Sequence, residues 1–116
     1  MVAIWAGLDQ PADRNLAMRN VELRLEDSPE SAVRGTLTIS GDGGFWLTGP
    51  WVGPATVSTR DGTISIAATL AAESVDLALH RTSLDLLIDF DGRSPSLLIY
   101  RLSRNGAAYS TGLLNR

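Results

Sequence analysis

Residues 83–92 read Ser83-Leu84-Asp85-Leu86-Leu87-Ile88-Asp89-Phe90-Asp91-Gly92. Leu84, Leu86, Ile88 and Phe90 alternate with Ser83, Asp85 and Asp89, and only Leu87 interrupts the pattern. Period two marks a half-buried strand, because successive side chains leave a strand on opposite faces. The run ends at Asp91-Gly92, a pair that tolerates the positive φ of a tight hairpin turn. A partner follows: residues 96–102 are apolar on both phases (Leu97, Leu98, Ile99, Tyr100), which predicts a strand covered on both sides.

The same alternation extends toward the N-terminus. Val21, Leu23 and Leu25 alternate with Glu22, Arg24 and Glu26; Val33, Leu37 and Ile39 alternate with Arg34, Thr36, Thr38 and Ser40. Val57 lies in a Thr/Ser-rich run, and Ile64, Ile66, Ala68 and Leu70 follow in phase. Asp61-Gly62 is a second hairpin signal, and Ser28-Pro29 and Gly41-Asp42-Gly43-Gly44 are weaker ones. Short strands at this spacing predict an all-β fold: a single antiparallel β-sandwich or small barrel of seven to nine short strands. At most one or two short helical turns fit beside them. One is expected from Asp9 to about Met18, where an Asp cap precedes Pro11. The other lies in Ala-rich Thr69–Leu77, with a strand through Val75, Leu77 and Leu79 as the alternative.

The domain division expected is an N-terminal arm or short helix over 1–18, a β domain over 19–102 and a C-terminal arm or tail over 103–116. That tail carries Tyr109, Leu113 and Leu114 but little else that could pack a core. It reads as a disordered end or as an arm that orders on a neighbouring subunit.

Composition narrows the chemistry. Of 116 residues ten are basic, all of them arginine; thirteen are acidic, and the net charge is −3. Without lysine there is no Schiff base and no phosphate-loop lysine. Without cysteine there is no thiolate nucleophile, disulfide or Cys-based zinc site. One imidazole, His80, cannot build a histidine metal cage. No metal and no cofactor is therefore expected. The acidic balance without a basic cluster argues against nucleic acid as partner. No apolar run is long enough for a transmembrane helix or placed as a signal peptide, so no membrane partner is expected. The expected location is cytoplasmic, or assembled into a particle.

Three constellations invite functional readings. His80, Ser83 and Asp85 suggest a triad, but no strand-to-helix nucleophile elbow is present, and a turn histidine is the simpler reading. Asp85, Asp89 and Asp91 suggest paired carboxylates. On one strand face Asp85 and Asp89 would stand roughly 13 Å apart, beyond the spacing of either class of glycosidase. The Gly/Pro segment from Gly41 to Pro54 holds Phe45, Trp46 and Trp51, residue types that anchor interfaces, stack on ligands or fill a core. No catalytic residue is assigned. The interaction candidates are Phe45, Trp46, Trp51, Tyr109, Leu113 and Leu114.

Asp42-Gly43, Leu47-Thr48-Gly49, Asp61-Gly62, Leu70-Ala71-Ala72-Glu73, Leu84-Asp85-Leu86 and Asp91-Gly92 occur in an order that resembles the immunoglobulin-like modules of tailed-phage baseplate and tail proteins. That resemblance implies a structural, non-catalytic particle component working in many copies. Arg14, Arg19 and Thr38-Ile39-Ser40-Gly41-Asp42-Gly43 resemble, less fully, the arginine cluster and turn of PilZ-type cyclic-di-GMP receptors; Asn15 and Thr38 depart from that pattern. The function expected is a non-enzymatic structural or interaction module: a multi-copy component of a phage or phage-like particle, in the tail, baseplate or capsid decoration. Its partners are other protein subunits, including copies of itself. The alternatives are a lipocalin-like or cyclase-like barrel with Trp5, Trp46 and Trp51 around an apolar pocket, and a degenerate PilZ-type domain.

Overall fold

The fold was obtained as a computed structural model that describes residues 2–26 and 32–116. The Ser28-Pro29 turn lies outside the described residues. Eight strands follow in chain order: β1 (Val2–Pro11), β2 (Arg19–Glu26), β3 (Ala32–Ser40), β4 (Trp46–Val57), β5 (Thr63–Ser74), β6 (Thr82–Asp91), β7 (Leu97–Arg104) and β8 (Ala107–Asn115). Among the described residues one 3-10 turn, Asp42–Gly44, precedes β4. Each strand pairs antiparallel with its chain neighbour, and β1 pairs with β8, so the sheet closes into a barrel. Of the two architectures the alternation allows, the barrel is the one formed. Closure satisfies the backbone on both sides of most strands and leaves little free edge.

The alternation that announces β6 places Leu84, Leu86 and Ile88 inside, where Leu23, Leu37, Leu47, Leu70, Leu98 and Leu102 join them. Trp5, Trp51 and Tyr100 are the largest fully buried side chains. Two inward glycines make room for rings. A Cβ at Gly35 would strike the Trp51 ring and the Arg24 carbonyl, and one at Gly112 would strike the Tyr100 ring. Ring on glycine is how a strongly coiled sheet fills its inside without a void.

Four expectations change. The stretch from Asp9 begins no helix: Trp5, Asp9 and Pro11 keep the inward phase of β1, and a turn follows. Thr69–Ser74 completes β5, its small inward Ala72 and Ser74 keeping period two; residues 75–81 then turn back with Leu77 at the tip. The ends are neither arm nor tail, since β1 and β8 are the seam of the barrel, paired from Ala6↔Asn115 to Pro11↔Ser110. Asn105-Gly106 makes that possible. Both residues have positive φ, the geometry of a two-residue hairpin turn, and they fold β8 back onto β7. Finally, Leu97 and Ile99 on β7 are not covered. Both stand about half exposed on the outer wall.

The Gly/Pro segment divides: Gly41-Asp42-Gly43-Gly44 makes the expected turn, and from Trp46 the chain is strand β4. Pro50 and Pro54 face outward on β4, and the β4–β5 pairing is interrupted at Gly49-Pro50 and Gly53-Pro54, where a ladder donor is missing, while the register continues unchanged past both.

Candidate functional site

Two features of the barrel carry unusual chemistry. The first is a buried polar cluster at the end formed by the β1–β2, β3–β4, β5–β6 and β7–β8 turns. Asp9 of β1 and Arg19 of β2 both lie on the inward phase, opposite each other in the ladder. Arg19 donates from Nη2 and Nε to Asp9 Oδ2 at 2.7 and 3.0 Å, and from Nη1 to the Tyr109 hydroxyl at 3.0 Å. Tyr100 of β7 donates its hydroxyl proton to Asp9 Oδ1. The Phe45 ring lies 4.3 Å from the guanidinium carbon and the Tyr109 ring 5.3 Å from it. Ser110 Oγ is buried nearby, with no hydrogen-bond partner among the described residues.

Burial, then the Asp9 charge and its hydrogen bond, pushes the Tyr100 hydroxyl far above its ordinary pKa. Tyr109 is also raised, by burial against the opposing pull of Arg19. Burial works against the Arg19 charge, but the hydrogen bonds to Asp9 and Tyr109 outweigh it and its pKa rises. Both phenols therefore stay protonated and Arg19 stays charged. The cluster is a closed, charge-balanced clasp joining β1, β2, β7 and β8 across the seam, and every donor of Arg19 that it uses is already spent inside the protein.

The second feature is the outer wall of β1, β8 and β7. Leu8, Leu113 and Ile99 stand directly opposite one another across the two ladders, and are 48%, 56% and 48% exposed. Leu97 and, further along β1, Ile4 and Val2 enlarge this row, and Met18 borders it in the groove beside Leu8 and Leu113. On β2 the wall turns polar with Asn20 and Glu22; on β6 Asp89 stands beside Ile99 and Leu87 beside Arg101. Other apolar side chains are exposed elsewhere, Val52 and Val57 on β4 and Leu87 on β6 among them, but here they line up across three neighbouring strands, and such a patch is the surface pattern of a contact site.

The interaction candidates divide among these places. Phe45 and Tyr109 come together on either side of Arg19. Trp51, 1% exposed, and Leu114 are core residues, and the Trp51 Nε1 proton has no acceptor among the described residues. Trp46 is partly exposed at the start of β4, where its carbonyl accepts from Ser74 Oγ and from the Val75 amide. Leu113 alone lies on the apolar wall. Trp5, Trp46 and Trp51 do not surround one pocket: Trp5 donates from Nε1 to the Pro95 carbonyl at the opposite end from Trp46, which faces outward.

The other constellations resolve simply. His80 Nδ1 accepts from the Ser74 amide at 3.2 Å, and Leu79 beside it plugs the core, so the histidine braces a turn. Asp85 and Asp89 are outward on β6, with Asp89 accepting from Ser65 Oγ. Asp91 caps the amide of Arg93. Asp9 and Tyr100 escaped the sequence reading, and Arg19 was weighed only as a ligand arginine. Only the signal of Arg19 was legible: it shares the apolar phase of Val21, Leu23 and Leu25, and a charge on the inward face needs a buried partner.

The chain matches no protein-family model, and no curated protein matches it.

Proposed function

We propose that this chain is a non-enzymatic interaction module that meets other protein subunits through the apolar wall of β1, β8 and β7. The observation that carries this is the row Leu8–Leu113–Ile99: three aliphatic side chains aligned across two ladders and half open to solvent. Burying each such side chain contributes about 1.5–3 kcal/mol at full burial, so a partner that covers the row gains from it directly. In its finer form the module is a repeated component of a phage or phage-like particle, a reading that rests on the motif resemblance and not on the barrel topology. A small-molecule calyx has less support, because Trp5, Trp51 and Tyr100 occupy the inside. A cyclic-di-GMP site has less support as well, because a ligand would have to draw Arg19 away from Asp9 and Tyr109.

Site-specific photo-crosslinking in the producing cell tests the proposal. A benzoyl-phenylalanine at position 113 or 8 is expected to yield discrete protein adducts, and one at Thr69 on β5 none. Equal labelling from all three positions, or from none, overturns it.

A further inference from the structure

The strip on β1, β8 and β7 has a definite shape and a definite charge border, and together these narrow its partner. This step rests on the proposal that the strip is a contact surface. Val2, Ile4, Leu8, Leu97, Ile99 and Leu113 are each 41–56% exposed. Six aliphatic side chains half open present on the order of 500 Å², and with the polar residues between them approach the roughly 800 Å² per partner of a standard interface. Asp89 and Arg101 lie at its β6–β7 margin, both exposed and diagonal to each other: Asp89 opposes Ile99, and Arg101 opposes Leu87 one row away. The described ion pairs include neither residue.

Strands lie about 4.8 Å apart and same-face neighbours about 6.8 Å apart along a strand. In that lattice, an in-plane twofold axis that carries Arg101 onto Asp89 is the perpendicular bisector of the line between them, and it passes within about 2 Å of Leu113. One operation therefore brings Ile99 and Leu113 against their own copies at the centre. It also sets Arg101 of each copy on Asp89 of the other, the two pairs lying side by side across the axis at the β6–β7 margin. A surface that is complementary to itself in both apolar and charged parts is what an isologous dimer requires.

We infer that the occupant of the wall is a second copy of this chain, docked face to face about a twofold axis beside Leu113, with two reciprocal Arg101–Asp89 pairs fixing its register.

Sedimentation equilibrium of the full chain tests this with a charge swap. Arg101→Asp and Asp89→Arg are each expected to weaken the dimer at least tenfold. The double swap Arg101→Asp/Asp89→Arg restores it to within about threefold, because the pairs reform with reversed sign. Leu113→Thr with Ile99→Thr is expected to leave only monomer. All four sites are exposed, so a parent-like circular dichroism spectrum and a cooperative melt check that each variant is folded, while the melting temperature itself falls with the lost association. A chain monomeric at millimolar concentration overturns the inference, as does a dimer insensitive to the single reversals. Adducts from position 113 that contain only a different protein also overturn it, and they leave the interaction module itself standing.

Discussion

At the residue scale the barrel depends on one ion pair placed where solvent cannot help it. Arg19 and Asp9 sit inside the ladder, and the pair is stable because Tyr100 and Tyr109 complete its hydrogen bonds. Removing one partner strands a buried charge, which costs about 3–5 kcal/mol. Arg19→Ala is expected to lose that much in urea unfolding. Asp9→Leu with Arg19→Met, which removes both charges and keeps volume, is expected to recover at least half of the loss. A double variant no better than the single would show that Asp9 is not what makes Arg19→Ala costly. Gly112→Ala probes the opposite fault. Its methyl group would enter the space of the Tyr100 ring, and overpacking of this kind costs about 1–3 kcal/mol.

Elements explain both what was readable and what was not. The strands β2, β3, β5 and β6 announce themselves, because in each the inward phase is apolar and the outward phase polar. β1 and β8 do not. Val2, Ile4, Ala6 and Leu8 are outward while Trp5, Gly7 and Asp9 are inward, so the hydrophobic contrast that marks a strand is inverted over half its length. In β8 the inward set is Ser110, Gly112 and Leu114, with Leu113 outward, and alternation fails for the same reason. What hid these strands is the apolar wall and the buried clasp, which are the two candidate sites. Patterning fails where one face has a use other than covering the core. Trp51 is a milder case: flanking glycines and prolines suggest a loop, and only the space beside Gly35 shows why a ring belongs inside. A chain ending at Leu102 tests the assignment of β8. If residues 107–115 are the closing strand, that chain shows no cooperative thermal transition; a dispensable tail would leave the melting curve unchanged.

The turns carry a separate, pH-dependent contribution. Asp61 and Asp91 are held below the ordinary carboxyl value of 3.8, chiefly by the backbone amides of Thr63 and Arg93. A depressed carboxyl contributes stability above its unfolded pKa and loses it as pH falls through the lower folded one. Asp61→Ala and Asp91→Ala should therefore be less stable than the parent at neutral pH, and their stability should fall less steeply below about pH 3.8. Melting temperatures measured from about pH 6 to about pH 2 check both signs. Parallel curves for variant and parent would show that the turn bonds form equally well with the acid protonated.

At the scale of the whole molecule the seam matters most. β8 stops opposite Ala6, so Val2–Trp5 pair with β2 alone, and Arg116 reaches back over the Trp5 ring. Val2 and Arg116 thus lie at the same end of neighbouring strands, about four residues of extended chain apart, or roughly 13 Å. A linker of about six residues between them, with new ends opened at the Asp61-Gly62 turn, should give a circular permutant with the parent's circular dichroism spectrum and a melting temperature within a few degrees. Loss of folding in that permutant would mean the order in which strands are supplied matters, and not only their final pairing.

That order has a consequence during synthesis. Strand β1 finds its seam partner only when β8 emerges. Until then β1 and β7 each present an open edge beside the most apolar outer surface of the barrel, and such an edge invites pairing between nascent chains. The clasp of Asp9, Arg19, Tyr100 and Tyr109 draws on the first two strands and the last two, so it can close only once all of them are out. It acts as a completion check on the chain, locking a barrel whose every stave has arrived.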